Sequence, residues 1–167
     1  MTAFHKIGPS DDTALAALIR RSLKAHGLDL PGTAYYDAAL DHLSEFYTAA
    51  PDKRAYFVLS ENGETVGGIG LSEFPFLPGC AELQKLYLAD RFKGRGLGYR
   101  LMERVEAEAL RLGYRQIYLE THTNLAAAIH VYERAGYREI PRPAGVVHST
   151  MNRFYRKNLK AAKTASP

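Results

Sequence analysis

Lys93-Gly94-Arg95-Gly96-Leu97-Gly98 is the run of this chain whose residue types and spacing are best suited to chemistry. Glycines let a backbone approach a ligand more closely than any Cβ permits, and Lys93 and Arg95 add positive charge beside them. A loop of this kind holds an anion when it also opens a helix, because the first helical turn presents unpaired N–H groups and the positive end of the dipole. A basic glycine loop can equally do no more than turn the chain. The surrounding elements have to decide between these readings.

They favour anion binding. Glu82 to Leu88 reads as a strand running into the loop. From Leu97 to Leu112, Leu97, Leu101, Met102, Val105, Ala109 and Leu112 recur at helical spacing, and Gly113 closes the segment. Earlier, Phe4 to Ile7 reads as a first strand. Ser10, Asp11 and Asp12 offer N-caps for a helix carrying Leu15, Leu18, Ile19 and Leu23. A second helix places Ala39, Leu40, Leu43, Phe46 and Tyr47 on one face and stops at Pro51. Residues 55–60 and 65–71 are strands joined by Asn62-Gly63, a strong hairpin signal. Gly67, Gly68 and Gly70 are costly inside a strand and imply close packing against it.

Beyond Gly113, residues 116–121 read as a strand and 124–136 as a helix ending on glycine. Residues 137–140 and 151–159 are the final strands, parted by a loop with Pro141, Pro143 and Gly145. The order β-α-α-β-β-β-α-β-α-β-β predicts an α/β (α+β) protein. Its central sheet is mixed and mostly antiparallel, has seven strands, and includes one parallel strand–helix–strand crossover around the glycine loop. A single domain over 1–160 is expected, with 161–167 a disordered tail.

Composition narrows the function. With 167 residues, 46% hydrophobic and 24% charged, the chain can bury a core without disulfides or metal. No apolar run is long enough to span a bilayer, and residues 1–12 lack the apolar core of a signal peptide, so a cytoplasmic location and no membrane partner are expected. Cys80 is the only cysteine and offers no disulfide and no zinc-site spacing, so no metal is expected. The net charge of +4 suits an anionic ligand, but the basic residues are scattered and form no nucleic-acid motif.

Two common phosphate loops fail on particular residues. A P-loop needs Gly-Lys-Ser/Thr after four residues from a first glycine, and no such string occurs. A dinucleotide fingerprint fits Gly94 and Gly96, and Glu120 ends the next strand where a ribose-binding acid belongs. However, Tyr99 takes the place of its third glycine, and the loop does not follow its strand directly.

The run instead resembles the acetyl-CoA loop of the GCN5-related N-acetyltransferase (GNAT) superfamily, Arg/Gln-x-x-Gly-x-Gly/Ala, with Lys93 in place of Arg or Gln. Asn124, Ala128, Tyr132 and Gly136-Tyr137 match the family's later motif, Asn-x3-Ala-x3-Tyr-x3-Gly-Phe/Tyr. The element order from residue 4 to about 159 is similar to the family's fold, with helices on both faces of the sheet.

The resemblance implies transfer of an acetyl group from acetyl-CoA, as co-substrate, directly to a primary amine of a small or amino-acid-like molecule. A protein N-terminus or lysine is the alternative acceptor, and a non-catalytic acyl-CoA sensor the alternative class. Backbone N–H groups of Lys93, Gly94, Arg95, Gly96, Leu97, Gly98 and Tyr99 are then expected to hold the pyrophosphate. Leu86, Tyr87 and Leu88 would line the pantetheine, with the Leu86 N–H aimed at the acetyl carbonyl, and Asn124 would bond the pantetheine arm or cap its helix. Tyr132 takes the family's general-acid position and Glu82 its general-base position, with Glu120 and His148 as other candidate bases. The acceptor pocket is expected from loops 28–36, 72–79 and 141–150, with Tyr35, Tyr36, Phe74, Phe76 and His148 available to line it. Many family members pair through their last strands, which makes a homodimer an option.

Overall fold

A run buried on both sides, Ala55 to Leu59, lies in the middle of strand β2 (Ala55–Glu61) and organises the two layers around it. Alternate side chains of a strand point to opposite faces. Phe57 and Leu59 join one apolar cluster with helices α3 (Leu97–Arg111) and α4 (Ala126–Arg134). Tyr56 and Val58 join another with α1 (Asp12–Ala25) and α2 (Leu43–Thr48). Helices therefore cover both faces of the sheet. These features come from a computed structural model that describes residues 1–160; the expected tail lies outside the described residues.

The remaining strands are β1 (Thr2–Lys6), β3 (Glu64–Glu73), β4 (Cys80–Leu88), β5 (Gln116–Thr121), β6 (Arg138–Ile140) and β7 (Arg153–Asn158). They form one seven-stranded sheet in the order β1-β2-β3-β4-β5-β7-β6, antiparallel throughout except for β4 and β5. The hairpin turn places Asn62 and Gly63 at φ 51° and 82°, the left-handed pair that a two-residue turn requires. Among the described residues no helix is long and apolar enough to cross a membrane.

Two local features depart from the sequence reading. Asp12 does not cap α1; its carboxylate accepts the Ser44 backbone N–H at 2.8 Å and the Ser44 hydroxyl at 2.6 Å. That long-range cap starts α2 at Leu43, so the expected helix from Ala39 becomes a 3-10 turn, Leu40–His42, followed by six α-helical residues. The second departure is at α4, which begins at Ala126 with Leu125 at its N-cap and no side-chain cap. Asn124 instead donates its side-chain N–H to the His26 carbonyl at 3.0 Å, tying the start of α4 to the end of α1.

Candidate active site

The parallel pair that should close the middle of the sheet is short. Strand β4 pairs with β5 only from Cys80 to Glu82, against Gln116 to Tyr118. Beyond Glu82 the two strands part, and the edge of β4 that faced β5 has no strand partner among the described residues. A bulge on the other edge reinforces the parting. Gly68 pairs with Tyr87 and Gly70 with Gln84, so Lys85 and Leu86 oppose one residue of β3. Lys85 adopts φ 50°, a left-handed conformation uncommon for a lysine. The Tyr56 hydroxyl, donating to the Lys85 carbonyl at 2.9 Å, holds the bulge in place.

The glycines of β3 make this possible. A Cβ at Gly70 would lie 2.6 Å from the Tyr47 hydroxyl oxygen and 2.7 Å from the Tyr56 ring, and one at Gly68 would also strike Tyr56. Those positions must stay bare so that both tyrosines can cross β3 and reach β4. The expectation of close packing at Gly67, Gly68 and Gly70 is met by these contacts and by the Tyr87 carbonyl beside Gly67.

A cavity of about 540 Å³ fills the fork. Its wall runs from Lys93, Gly94, Gly96, Leu97, Gly98 and Tyr99, past Leu86, Tyr87, Leu88 and Tyr132, to Glu82, Glu120 and His148. At the loop end, Gly94 and Gly96 both sit at φ 74°, with open space where a Cβ would go. Conformation, not crowding, therefore demands glycine there. Among the described residues no acceptor takes the N–H groups of Gly94 to Tyr99; the first helical bond runs from Arg100 N to the Gly96 carbonyl. Six successive free donors at the positive end of a fifteen-residue helix form an anion cradle. Lys93 reaches Asp90 at 2.6 Å, while Arg95 turns outward to Glu61 at 3.4 Å and stacks on Phe92.

The opposite end is built from side chains. Register places Glu82 beside Tyr118, so Glu82, Gln84, Tyr118 and Glu120 share one face of the fork. Tyr47 donates to Gln84 Oε1 at 2.7 Å, and Gln84 Nε2 reaches Glu82 Oε2 at 3.3 Å. Burial, and then the nearby charge of Glu120, push the Glu82 carboxyl up to about 7. A carboxyl poised there can accept a proton near neutral pH. His148 bridges Asp37 (Nε2 to Oδ1, 2.8 Å) and Glu120 (Nδ1 to Oε1, 3.0 Å), and these bonds raise the imidazole to about 9. In that state it is a cation with both nitrogens engaged, not a free base.

Tyr132 lines the middle of the cavity, and burial raises its hydroxyl above the ordinary tyrosine range, so it stays protonated. Asn124 and the Arg95 side chain do not line the cavity. Two of the three expected acceptor loops reach the cavity, 28–36 through Ala34 and 141–150 through His148, with Met151 just beyond; residues 72–79 do not line it. Tyr36 and Phe76 are exposed instead, and Phe74 is buried in a stack on Tyr118 with centroids 4.2 Å apart. Tyr47, Tyr56, Gln84, Lys85 and Asp37 escaped the sequence reading as site residues. Only the glycines of β3 pointed toward two of them.

Residues 20–137 match the sequence profile described as the Acetyltransferase (GNAT) family. The chain belongs to the GNAT family. It is 33% identical over 137 residues to an uncharacterized N-acetyltransferase of Escherichia coli K12, YjgM, covering 81% of each chain. It is also 31% identical over 105 residues to a protein named IAA acetyltransferase from Azospirillum brasilense, covering 62% of this chain and 67% of that one. Among solved structures, a GNAT acetyltransferase from Staphylococcus aureus Mu50 superposes with a TM-score of 0.84 at 21% identity, covering 96% of this chain and all of the other. A GNAT protein is an acyltransferase.

Proposed function

We propose that this GNAT protein moves an acetyl group from acetyl-CoA directly to the primary amine of a small molecule. The observation that carries the reading is the continuity of one cavity, from six free N–H donors at one end to a half-buried carboxyl near neutrality at the other. Two structural neighbours, PaiA N-acetyltransferase of Thermoplasma acidophilum and N-acetylglutamate synthase of Neisseria gonorrhoeae, were solved with coenzyme A, which supports the same donor.

The residues divide the work by position. The N–H groups from Gly94 to Tyr99 hold the pyrophosphate, with Lys93 at the cavity wall adding charge. The unpaired edge of β4 at Leu86 and Leu88 takes the pantetheine as a pseudo-strand, and the Leu86 N–H polarises the acetyl carbonyl. Glu82 removes one proton from the acceptor ammonium, which frees the nitrogen lone pair to attack the thioester carbon. As the new C–N bond forms and the C–S bond breaks, Tyr132 hydrogen-bonds the departing sulfur. The second nitrogen proton passes to the thiolate. A free thiol has a pKa of about 8.5, below that of a buried phenol, so Tyr132 stabilises the leaving group mainly as a donor.

The test is release of free thiol from acetyl-CoA across a panel of amino acids, diamines, aryl amines and peptides with free N-termini. Amine-dependent release with formation of the matching acetamide is the expected result. Release with peptides alone would move the acceptor to proteins. Binding of acetyl-CoA without release for any amine would overturn the enzyme reading in favour of a sensor.

A further inference from the structure

We propose that His148 is a positioning residue that latches segment 141–152 over the acceptor end and neutralises Glu120 beside Glu82. The inference rests on the reading of Glu82 as the proton acceptor.

The segment lines the acceptor end of the cavity as a strap, through His148 and Met151, and is fastened near its C-terminal end by backbone and hydroxyl bonds. Thr150 N donates to the Gly32 carbonyl at 3.1 Å, its hydroxyl donates to the Pro31 carbonyl at 2.6 Å, and Asn152 N donates to the Thr121 carbonyl at 3.0 Å. At the other end Gly145 packs against the Phe76 ring. Between these fastenings Val147 is exposed, and His148 is the strap residue whose side chain bonds into the site. It completes a row of alternating charge, Glu120–His148–Asp37–Lys85, in which Lys85 Nζ lies 3.1 Å from Asp37 Oδ2. The row links β5, the strap, the segment before α2 and the β4 bulge. The imidazole thus ties three parts of the acceptor end together, and the Lys85–Asp37 pair adds the fourth.

The row also bears on proton transfer. Glu82 and Glu120 share the face of the fork, and the second carboxylate raises the proton affinity of Glu82. Facing Glu82 are Glu120 and the Tyr118 hydroxyl from β5, His148 from the strap, Tyr47 from α2, and Gln84 and Lys85 from its own strand. His148 and Lys85 are the cations of that set, and Lys85 is paired with Asp37. Removing the imidazolium leaves Glu120 without its ion-pair partner and strips one of the two cations that favour the charged Glu82.

The experiment is an NMR titration of the side-chain carboxyl carbons in glutamate-labelled protein, with the Glu82 signal assigned by its loss in Glu82→Gln. The Glu82 midpoint should lie near 7 in the wild type. It should rise by about one pH unit in His148→Gln and return toward the wild-type value in His148→Arg, which keeps the charge. Unchanged calorimetric binding of acetyl-CoA in both variants identifies them as folded. A midpoint unmoved in His148→Gln, or moved equally in His148→Arg, overturns the inference. The two readings fail separately. Full turnover of Glu82→Gln with the best amine of the panel removes the base assignment, whatever the titration shows.

Discussion

The two ends of one cavity are built by different means. The donor end is backbone: consecutive N–H groups from Gly94 to Tyr99, left unpaired among the described residues because Gly94 and Gly96 take a left-handed conformation and because a helix starts there. The acceptor end is side chain: Asp37, Glu82, Lys85, Glu120 and His148 arrive from four separate stretches of structure, and all but Glu82 are joined by ion pairs. A backbone cradle needs a contiguous run of residues, so it leaves a local signature. A side-chain cluster needs only that the fold converge, and it leaves none. The proposed donor site is therefore written into a short string, while the proposed acceptor site is encoded in the tertiary structure.

The largest effect that would sharpen this contrast is expected at Glu82. Glu82→Gln should lower kcat/KM near neutral pH by about 10²–10⁴-fold and abolish the rising limb centred near pH 7. An unshifted pH–rate profile would leave the acceptor end without its base. Tyr132→Phe comes next, with kcat reduced about tenfold or more and acetyl-CoA affinity kept. Wild-type turnover of that variant would break the assignment at the centre of the cavity.

A smaller effect is expected where the two ends join. Tyr56→Phe removes the hydroxyl that pins the Lys85 carbonyl, at a cost of about 1–3 kcal/mol if that carbonyl is left unpaired. Thermal melts should show a loss of several degrees, and kcat should fall as the bulge relaxes. An unchanged melt would mean the bulge holds itself.

The smallest effect concerns the latch and stability. The His148 imidazole, raised to about 9 in the fold from an ordinary 6.5, stabilises the fold fully below about pH 6.5, and that contribution is lost as pH rises through about 9. The Tm difference between wild type and His148→Gln should therefore be greatest near pH 6 and shrink by pH 10. A difference independent of pH would show packing rather than charge.

How much was legible follows the same division. Apolar periodicity and the turn signals at Asn62-Gly63 and Gly113 carry the element order and the mixed sheet, because those signals are local. The start of α2 was not legible, since its cap is Asp12, thirty-two residues earlier in the chain. The Lys85 bulge had no signal of its own; only bare Gly68 and Gly70 across the strand hinted that Tyr47 and Tyr56 pass there. Phe74 and Phe76 suggested an acceptor wall by type and loop position. Stacking on Tyr118 took the first into the core, and the second stayed at the surface.

Calorimetry of acetyl-CoA against wild type, Gly96→Val and His148→Gln tests this division most directly. The account predicts binding to the wild type, no binding to Gly96→Val because valine cannot hold φ 74° cheaply, and unchanged affinity in His148→Gln. Wild-type affinity in Gly96→Val, or its loss in His148→Gln, would contradict a donor end made of backbone and independent of the acceptor end.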